Sequence, residues 1–235
     1  TFADESSFDN DKVGAGVRLG YMITERTRHS WNYTAKREEI EGVKSGASDF
    51  ITNQKGSYTT SAFAHNLSFF GINDRLDPTN GMKLNISNKL AGFGGNVYFF
   101  QSDLKHSWFY SITDDYIFST HLKGGYIFGY NDDKVSLKDR YFLGADSFPG
   151  FETAGIGPRD TTSTNKDALG GNLMYTARTE LKIPIPGISP KLGIRGALFG
   201  VAGTVTEVDE DGGNKIKDDS SPRISAGFGV EWKSP

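Results

Sequence analysis

The sequence predicts an all-β fold, an antiparallel transmembrane β-barrel wall of about nine strands, as a single domain over residues 1–235. Three observations predict it. Apolar and polar residues alternate with period two through long segments. Most of those segments approach the roughly 9 to 11 residues of a tilted membrane strand rather than the roughly 5 to 6 of a soluble one. The connections alternate between compact turns and long polar loops, the pattern of a barrel with short turns on one side of a membrane and long loops on the other.

The first strand sets Val13, Ala15, Val17, Leu19, Tyr21 and Ile23 against Gly14, Gly16, Arg18, Gly20 and Met22. Weaker alternation marks His29–Ile40, Ser57–Phe70, Met82–Leu90 and Val97–Tyr110. It is clear again at Tyr116, Phe118, Thr120, Leu122, Tyr126 and Phe128 against Ser119, His121 and Lys123. Leu173, Tyr175, Ala177, Thr179, Leu181 and Ile183 then oppose Thr176, Arg178, Glu180 and Lys182. Leu192–Thr204 follows, and Ile224, Ala226, Phe228, Val230 and Trp232 close the series against Ser225, Gly227, Gly229 and Glu231. Compact turns are expected at Glu25–Arg28, Gly71–Asn80, Ser111–Asp115 and Pro186–Pro190, and long loops at Glu41–Lys55, Asn131–Gly170 and Glu207–Ser221. Ala91–Gly95 breaks the pattern as a short connection on the long-loop side. Trp31, Trp108 and Trp232 all fall beside short turns or the chain's end, where an aromatic girdle would meet one membrane interface. The competing architecture is a β-sandwich with those aromatics in its core.

Composition sets the outer bounds. Of 235 residues, 36% are hydrophobic, and no apolar run approaches the roughly 20 residues of a membrane helix. A barrel wall escapes that test, because only alternate residues face lipid. A net charge of −3 lacks the basic excess of a nucleic-acid partner, and the absence of cysteine excludes disulfides and thiolate metal sites. The chain opens Thr1-Phe2-Ala3-Asp4 without a signal-peptide pattern, as expected of a processed or partial chain.

No catalytic constellation emerges, and no cofactor or metal is expected. His29, His65, His106 and His121 fall on separate strands without zinc-motif spacing, and there is no Gly-x-Ser-x-Gly elbow. Gly14-Ala15-Gly16 is not followed by a helix and is no nucleotide fingerprint. The acidic run Glu207–Gly213 could offer carboxylates to calcium but lacks EF-hand spacing, so a solvated loop tip is expected.

The connection Asn131–Gly170 carries the most information. It holds Asp139-Arg140-Tyr141-Phe142-Leu143-Gly144, then Phe148-Pro149-Gly150-Phe151, then Gly155-Ile156-Gly157-Pro158-Arg159. A loop this long, rich in Gly and Pro between regular strands, is expected to be functional. In this order its segments resemble the lumen loop of BamA-like outer-membrane barrels, the bacterial surface antigen superfamily. Asp74–Gly81 resembles that family's Asp-x-x-x-x-Pro-Thr-x-Gly turn with one spacer fewer. Leu90-Ala91-Gly92, Gly94-Gly95, Leu169–Asn172, Glu180-Leu181 with Pro184, Phe199–Val205 and Ser225–Pro235 extend the likeness over nearly the whole chain.

The resemblance implies that this segment is part of a C-terminal barrel domain, about the sixth to the fourteenth of sixteen strands, with its lumen loop near residues 131–170. The upstream POTRA repeats and the closing strands are then missing from it. It implies an assembly factor that inserts β-barrel clients into the outer membrane of a Gram-negative bacterium. Its partners would be outer-membrane lipid and lipopolysaccharide, unfolded clients, periplasmic chaperones and accessory lipoproteins. A two-partner secretion or TamA-like transporter of the same superfamily, and a passive porin, are the alternatives.

Two departures stand out. The family's Val-Arg-Gly-Phe is here Phe148-Pro149-Gly150-Phe151, and its Phe-x-Asp-x-Gly is here Phe199-Gly200-Val201-Ala202-Gly203. The paired arginine and aspartate of related barrels are both replaced, so the loop is expected to dock by apolar contact on the strand carrying Arg195, Phe199, Val201 and Gly203.

Overall fold

A computed structural model describes residues 2–4, 9–41, 48–164, 166–188, 192–210 and 212–232. The chain forms a ten-stranded antiparallel sheet. Its strands are β1 (Phe2–Asp4), β2 (Asp9–Thr24), β3 (Thr27–Glu41), β4 (Gly56–Ile72), β5 (Gly81–Gly95), β6 (Phe99–Ser111) and β7 (Ile117–Gly129), then β9 (Leu173–Pro184), β10 (Ile194–Thr206) and β12 (Arg223–Trp232). Each strand pairs with the next in that order. A separate two-stranded ribbon joins β8 (Arg159–Asp160) to β11 (Ile216–Lys217), and a single helical turn, α1 (Asp49–Thr52), lies between β3 and β4.

Register makes the sheet two-faced. Val201 stands opposite Arg178, which stands opposite His121, then Ser107, then Lys83. Three residues along, the other face reads Phe228, Leu198, Leu181, Phe118 and Tyr110 across five strands. That second face is bare: Val17 is 74% and Phe228 86% exposed. A continuous apolar sheet face open to water would be an aggregation surface, whereas in lipid it is the matched one. The backbone of a membrane wall must find its partners within the sheet, which the interior strands β3 to β10 do; among the described residues the outer edges of β12 and of β2 beyond Asp11 have no partner strand.

The polar face is covered toward the long-loop side by the segment between β7 and β9. Three apolar clusters fill that contact. Val135 packs among Ala62, Ala91, Phe99 and Ile127; Leu137 and Leu169 pack with Ile40 and Ile51; and Leu143, Phe148 and Ile156 pack on Val201 and Val205. Full burial of side chains of this size contributes about 1.5–3 kcal/mol each. The loop is therefore part of the core.

The nine expected strands are present, with a three-residue edge strand, β1, added against Asp9–Asp11. Other expectations need correction. Ala91–Gly95 is the end of β5, and the connection is Asn96–Tyr98. Glycine makes this possible: Gly95 has φ +93°, and a Cβ there would stand 2.1 Å from the Thr59 carbonyl oxygen. The glycines that resembled a turn instead carry an irregular but paired strand. The Glu41–Lys55 loop contains α1, capped by the Ser48 side chain accepting from the Phe50 amide. Residues 189–190 of the Pro186–Pro190 turn and 233–235 of the closing motif lie outside the described residues.

Candidate functional site

The loop is held to the wall at four places. At the first, β3 presents Glu38, 1% exposed, beside Lys12 on β2 and Tyr58 on β4. Lys138 of the loop reaches it at 2.7 Å, Lys36 at 2.7 Å and Lys12 at 3.5 Å. The Lys138 ammonium also lies 4.4 Å from the Tyr58 ring centroid. One carboxylate thus anchors a buried loop cation whose desolvation would otherwise oppose docking.

At the second, Arg140, whose side chain is 0% exposed, donates to the carbonyls of Val135 and Leu169 and to Asp209 (3.3 Å) and Glu210 (2.8 Å). It joins both ends of the loop to the β10–β12 connection. The expectation that Glu207–Gly213 is a solvated tip is corrected here for Asp209 and Glu210: an arginine this deep requires carboxylate partners. Asp211 lies outside the described residues.

The third is Tyr141, whose ring lies over Gly125; a Cβ at that glycine would fall 2.5 Å from it. Its hydroxyl donates to Asp103 at 2.8 Å and accepts from Gln101 at 3.2 Å. At the fourth, Ser48 donates through Oγ to Asp160 and through its amide to Asp167. Burial pushes the Asp160 carboxyl up, but hydrogen bonds from Ser48, Thr162 and Ser163 outweigh it and leave the group below the usual carboxylate range.

Two-faced strands, a polar face and a long loop docked on it specify a barrel wall with its lumen side covered. The Omp85 superfamily domain matches residues 1–235. The chain belongs to the Omp85 superfamily. It is similar to the outer membrane protein assembly factor BamA of Neorickettsia risticii, 32% identical over 224 residues covering 95% of this chain and 30% of that protein. It is also similar to the sorting and assembly machinery component 50 homolog A of Xenopus laevis, 30% identical over 196 residues covering 83% of this chain and 41% of that one. The fold resembles BamA from Haemophilus ducreyi lacking POTRA domains 1–3, with a TM-score of 0.86 at 21% identity, covering 98% of this chain and 49% of that structure. This Omp85 chain therefore spans under half the length of these relatives, as one stretch of a transmembrane barrel.

Phe148 is 0% exposed and packs with Val201 and Val205, while Phe151 meets its ring edge-on at 5.2 Å. Pro149 is half-buried, and Gly150 (φ +91°) lies near the Ser225 side chain on β12. Gly157 (φ +125°) approaches Val205 so closely that a Cβ would come within 3.2 Å. Gly155 donates to the Glu152 carbonyl, and the buried Pro158 accepts from the Leu169 amide. Arg159 acts within the loop, donating to the carbonyls of Ala154 and Lys166.

On β10, Phe199 packs beside Val201 under the Arg178 guanidinium, 4.8 Å away. Gly203 lies close to the Tyr175 carbonyl. Arg195 does not join this group. It pairs with Asp77 (3.3 Å) from the β4–β5 turn, which also approaches Lys182 (3.7 Å). Trp31, Trp108 and Trp232 all stand on the bare face toward the short-turn side.

Sequence reasoning missed Glu38, Lys138, Ser48 and the role of Arg140. Glu38 sits in the run Arg37-Glu38-Glu39, which reads as solvated charge, and Ser48 lies in a polar loop. The one signal was Arg140 inside the quoted Asp139–Gly144 motif.

Proposed function

We propose that this chain is the barrel wall of an outer-membrane protein assembly factor that folds and inserts β-barrel clients in a Gram-negative bacterium. The observation that carries the reading is a 32% identity with such a factor along 95% of the chain. The packed lumen loop is consistent with it and speaks against a passive porin, which would leave its bore open.

The reading needs neither a cofactor nor a catalytic side chain. The free energy of client insertion comes from burying apolar strand faces in lipid and closing edge hydrogen bonds, and the barrel lowers the barrier between. Clients add strand by strand to an exposed edge, a form of β-augmentation. The wall contributes a rigid, loop-braced frame and an aromatic belt of Trp31, Trp108 and Trp232 at one interface. Lipopolysaccharide, periplasmic chaperones and accessory lipoproteins are the further proposed partners.

The test reconstitutes the full-length protein carrying this wall into liposomes and follows the folding of a urea-unfolded outer-membrane barrel. Accelerated folding over empty liposomes is expected. No acceleration, with export of a secreted partner instead, would move the protein to the transporter branch of the superfamily.

A further inference from the structure

The turn between β4 and β5 is tied to strands far from its own. Its Asp77 accepts from Arg195, at the start of β10, at 3.3 Å and lies 3.7 Å from the Lys182 ammonium near the end of β9. In the sheet, β6 and β7 stand between β5 and those two strands. At about 4.8 Å per strand, the reach from β5 along the sheet is about 14 Å to β9 and about 19 Å to β10. Period two puts Lys182 with Arg178, and Arg195 with Val201, on the polar face. The turn therefore crosses that face at its short-turn end, opposite the rim that the long loop covers. We infer that it is a latch across the short-turn mouth of the lumen, narrowing that mouth while its ion pairs hold and widening it when they part.

The turn is built to reach across as one piece. Asn73 Oδ1 accepts from the Thr79 and Asn80 amides at 3.1 and 3.0 Å, and Asp74 Oδ1 accepts from the Leu76 and Asp77 amides at 2.7 and 3.2 Å. Pro78 fixes one more backbone angle beside Asp77. Ser111, at the end of β6, donates through its amide to Asn80 Oδ1 and through its hydroxyl to the Thr79 carbonyl, which leans the turn toward β9. The neighbouring β6–β7 turn instead closes on itself, from the Ile112 amide to the Tyr116 carbonyl.

What holds the far end of the turn is charge. Leu76, beside Asp77, is 87% exposed and adds no burial, whereas the side chains of Asp77, Lys182 and Arg195 are 22%, 12% and 25% exposed. Lys182 also meets Glu231 of β12 at 2.7 Å, so it keeps a partner when the turn leaves. The long loop is seated differently, by three apolar clusters. Ion pairs that water partly reaches part at far lower cost than a packed core opens. The turn can therefore release while the sheet stays folded. The latch rests only on the wall and its polar lumen face, and stands apart from the assembly reading.

The test places the full-length protein, with Lys105→Cys as its only cysteine, in lipid nanodiscs and adds a bulky polyethylene-glycol maleimide. Lys105 is exposed on the polar face, just to the short-turn side of Asp103, where Tyr141 of the loop ends. Adding Asp77→Asn is expected to speed labelling about tenfold, the scale of one charge-assisted hydrogen bond lost, while heat-modifiable gel migration stays that of a folded barrel. Exchanging the charges, Asp77→Arg with Arg195→Asp, is expected to restore the slow rate, and a small maleimide to react equally fast in every variant. Raised salt should speed the bulky reagent in the Lys105→Cys protein and leave it unchanged once Asp77→Asn is present. An unchanged bulky-reagent rate in folded Asp77→Asn, a fast rate kept in the exchanged pair, or a small reagent accelerated as much as the bulky one overturns the latch. Should Asp77→Asn fail to fold, labelling of Lys105→Cys that ignores salt overturns it alone.

Discussion

Replacing Arg140 with methionine tests whether the loop is held by charge as well as by apolar packing. The arginine makes five hydrogen bonds, to Val135 (two), Leu169, Asp209 and Glu210. Methionine fills much of the same volume but leaves those acceptors without it. Asp209 retains the Val135 amide and Glu210 retains Lys134, and their side chains are 29% and 15% exposed. Breaking a buried pair costs roughly 3–5 kcal/mol, and partial access of water to the carboxylates sets the lower end, about 3 kcal/mol. At about 1.4 kcal/mol per tenfold, the open fraction of the loop should rise about a hundredfold. Limited proteolysis of the full-length protein at low protease reads that fraction directly. Lys134→Met, losing a more exposed partner of Glu210, should change cleavage by only a few-fold. A rate for Arg140→Met within about threefold of the parent protein would show that apolar packing alone holds the loop.

Phe148→Ala should cost about 3–5 kcal/mol of loop docking, because the ring is fully buried between loop and wall; faster amide exchange along residues 143–157 would report it. Val201→Asp places a carboxylate at a 3% exposed position and should undock the loop, as should Pro149→Arg alone, whereas the double variant should recover protection from protease. Equal damage in single and double variants would sink that coupling. The Asp160 carboxyl is depressed in the folded protein, so its contribution is present above the usual carboxylate pKa and lost as pH falls through the folded value. Protection factors at α1, taken relative to the intrinsic exchange rate at each pH, should therefore fall in acid, and Asp160→Asn should flatten that dependence. Gly95→Ala should cut the yield of folded barrel, since its Cβ collides with the Thr59 carbonyl; an undiminished heat-modifiable band would contradict the packing argument.

Strands were legible because lipid and lumen impose opposite chemistry on alternate residues. Val13–Ile23 and Ile224–Trp232 reveal both faces by inspection, and β7 and β9 do nearly as well. The middle strands were harder to read for a physical reason. Their lumen face is covered by the loop, so Ala62, Ala91 and Phe99 are apolar on the side where polar residues would mark the alternation. The same cover hid the ionic anchors. A carboxylate such as Glu38 looks solvated unless one knows that Lys138, one hundred positions away in the chain, folds back onto it.

The loss of the family's arginine and aspartate pair suggests that the loop docks on β10 by apolar contact, and the contacts elsewhere in the loop point to a division of labour. At the tip, Phe148 on Val201 supplies burial without a charge to compensate. At the loop's base, Arg140 with Asp209 and Glu210, and Lys138 with Glu38, supply direction. Apolar contact is tolerant of sliding, whereas a buried cation has a high cost in any register but the one that meets its carboxylates. A loop about forty residues long must find one seat on a broad sheet face. Base anchors fix the seat, and the tip, freed of its own ion pair, need only be apolar and of the right volume. This arrangement accounts for why Pro149 and Val201 can stand where related barrels carry charges while Glu38 and Arg140 remain almost fully buried.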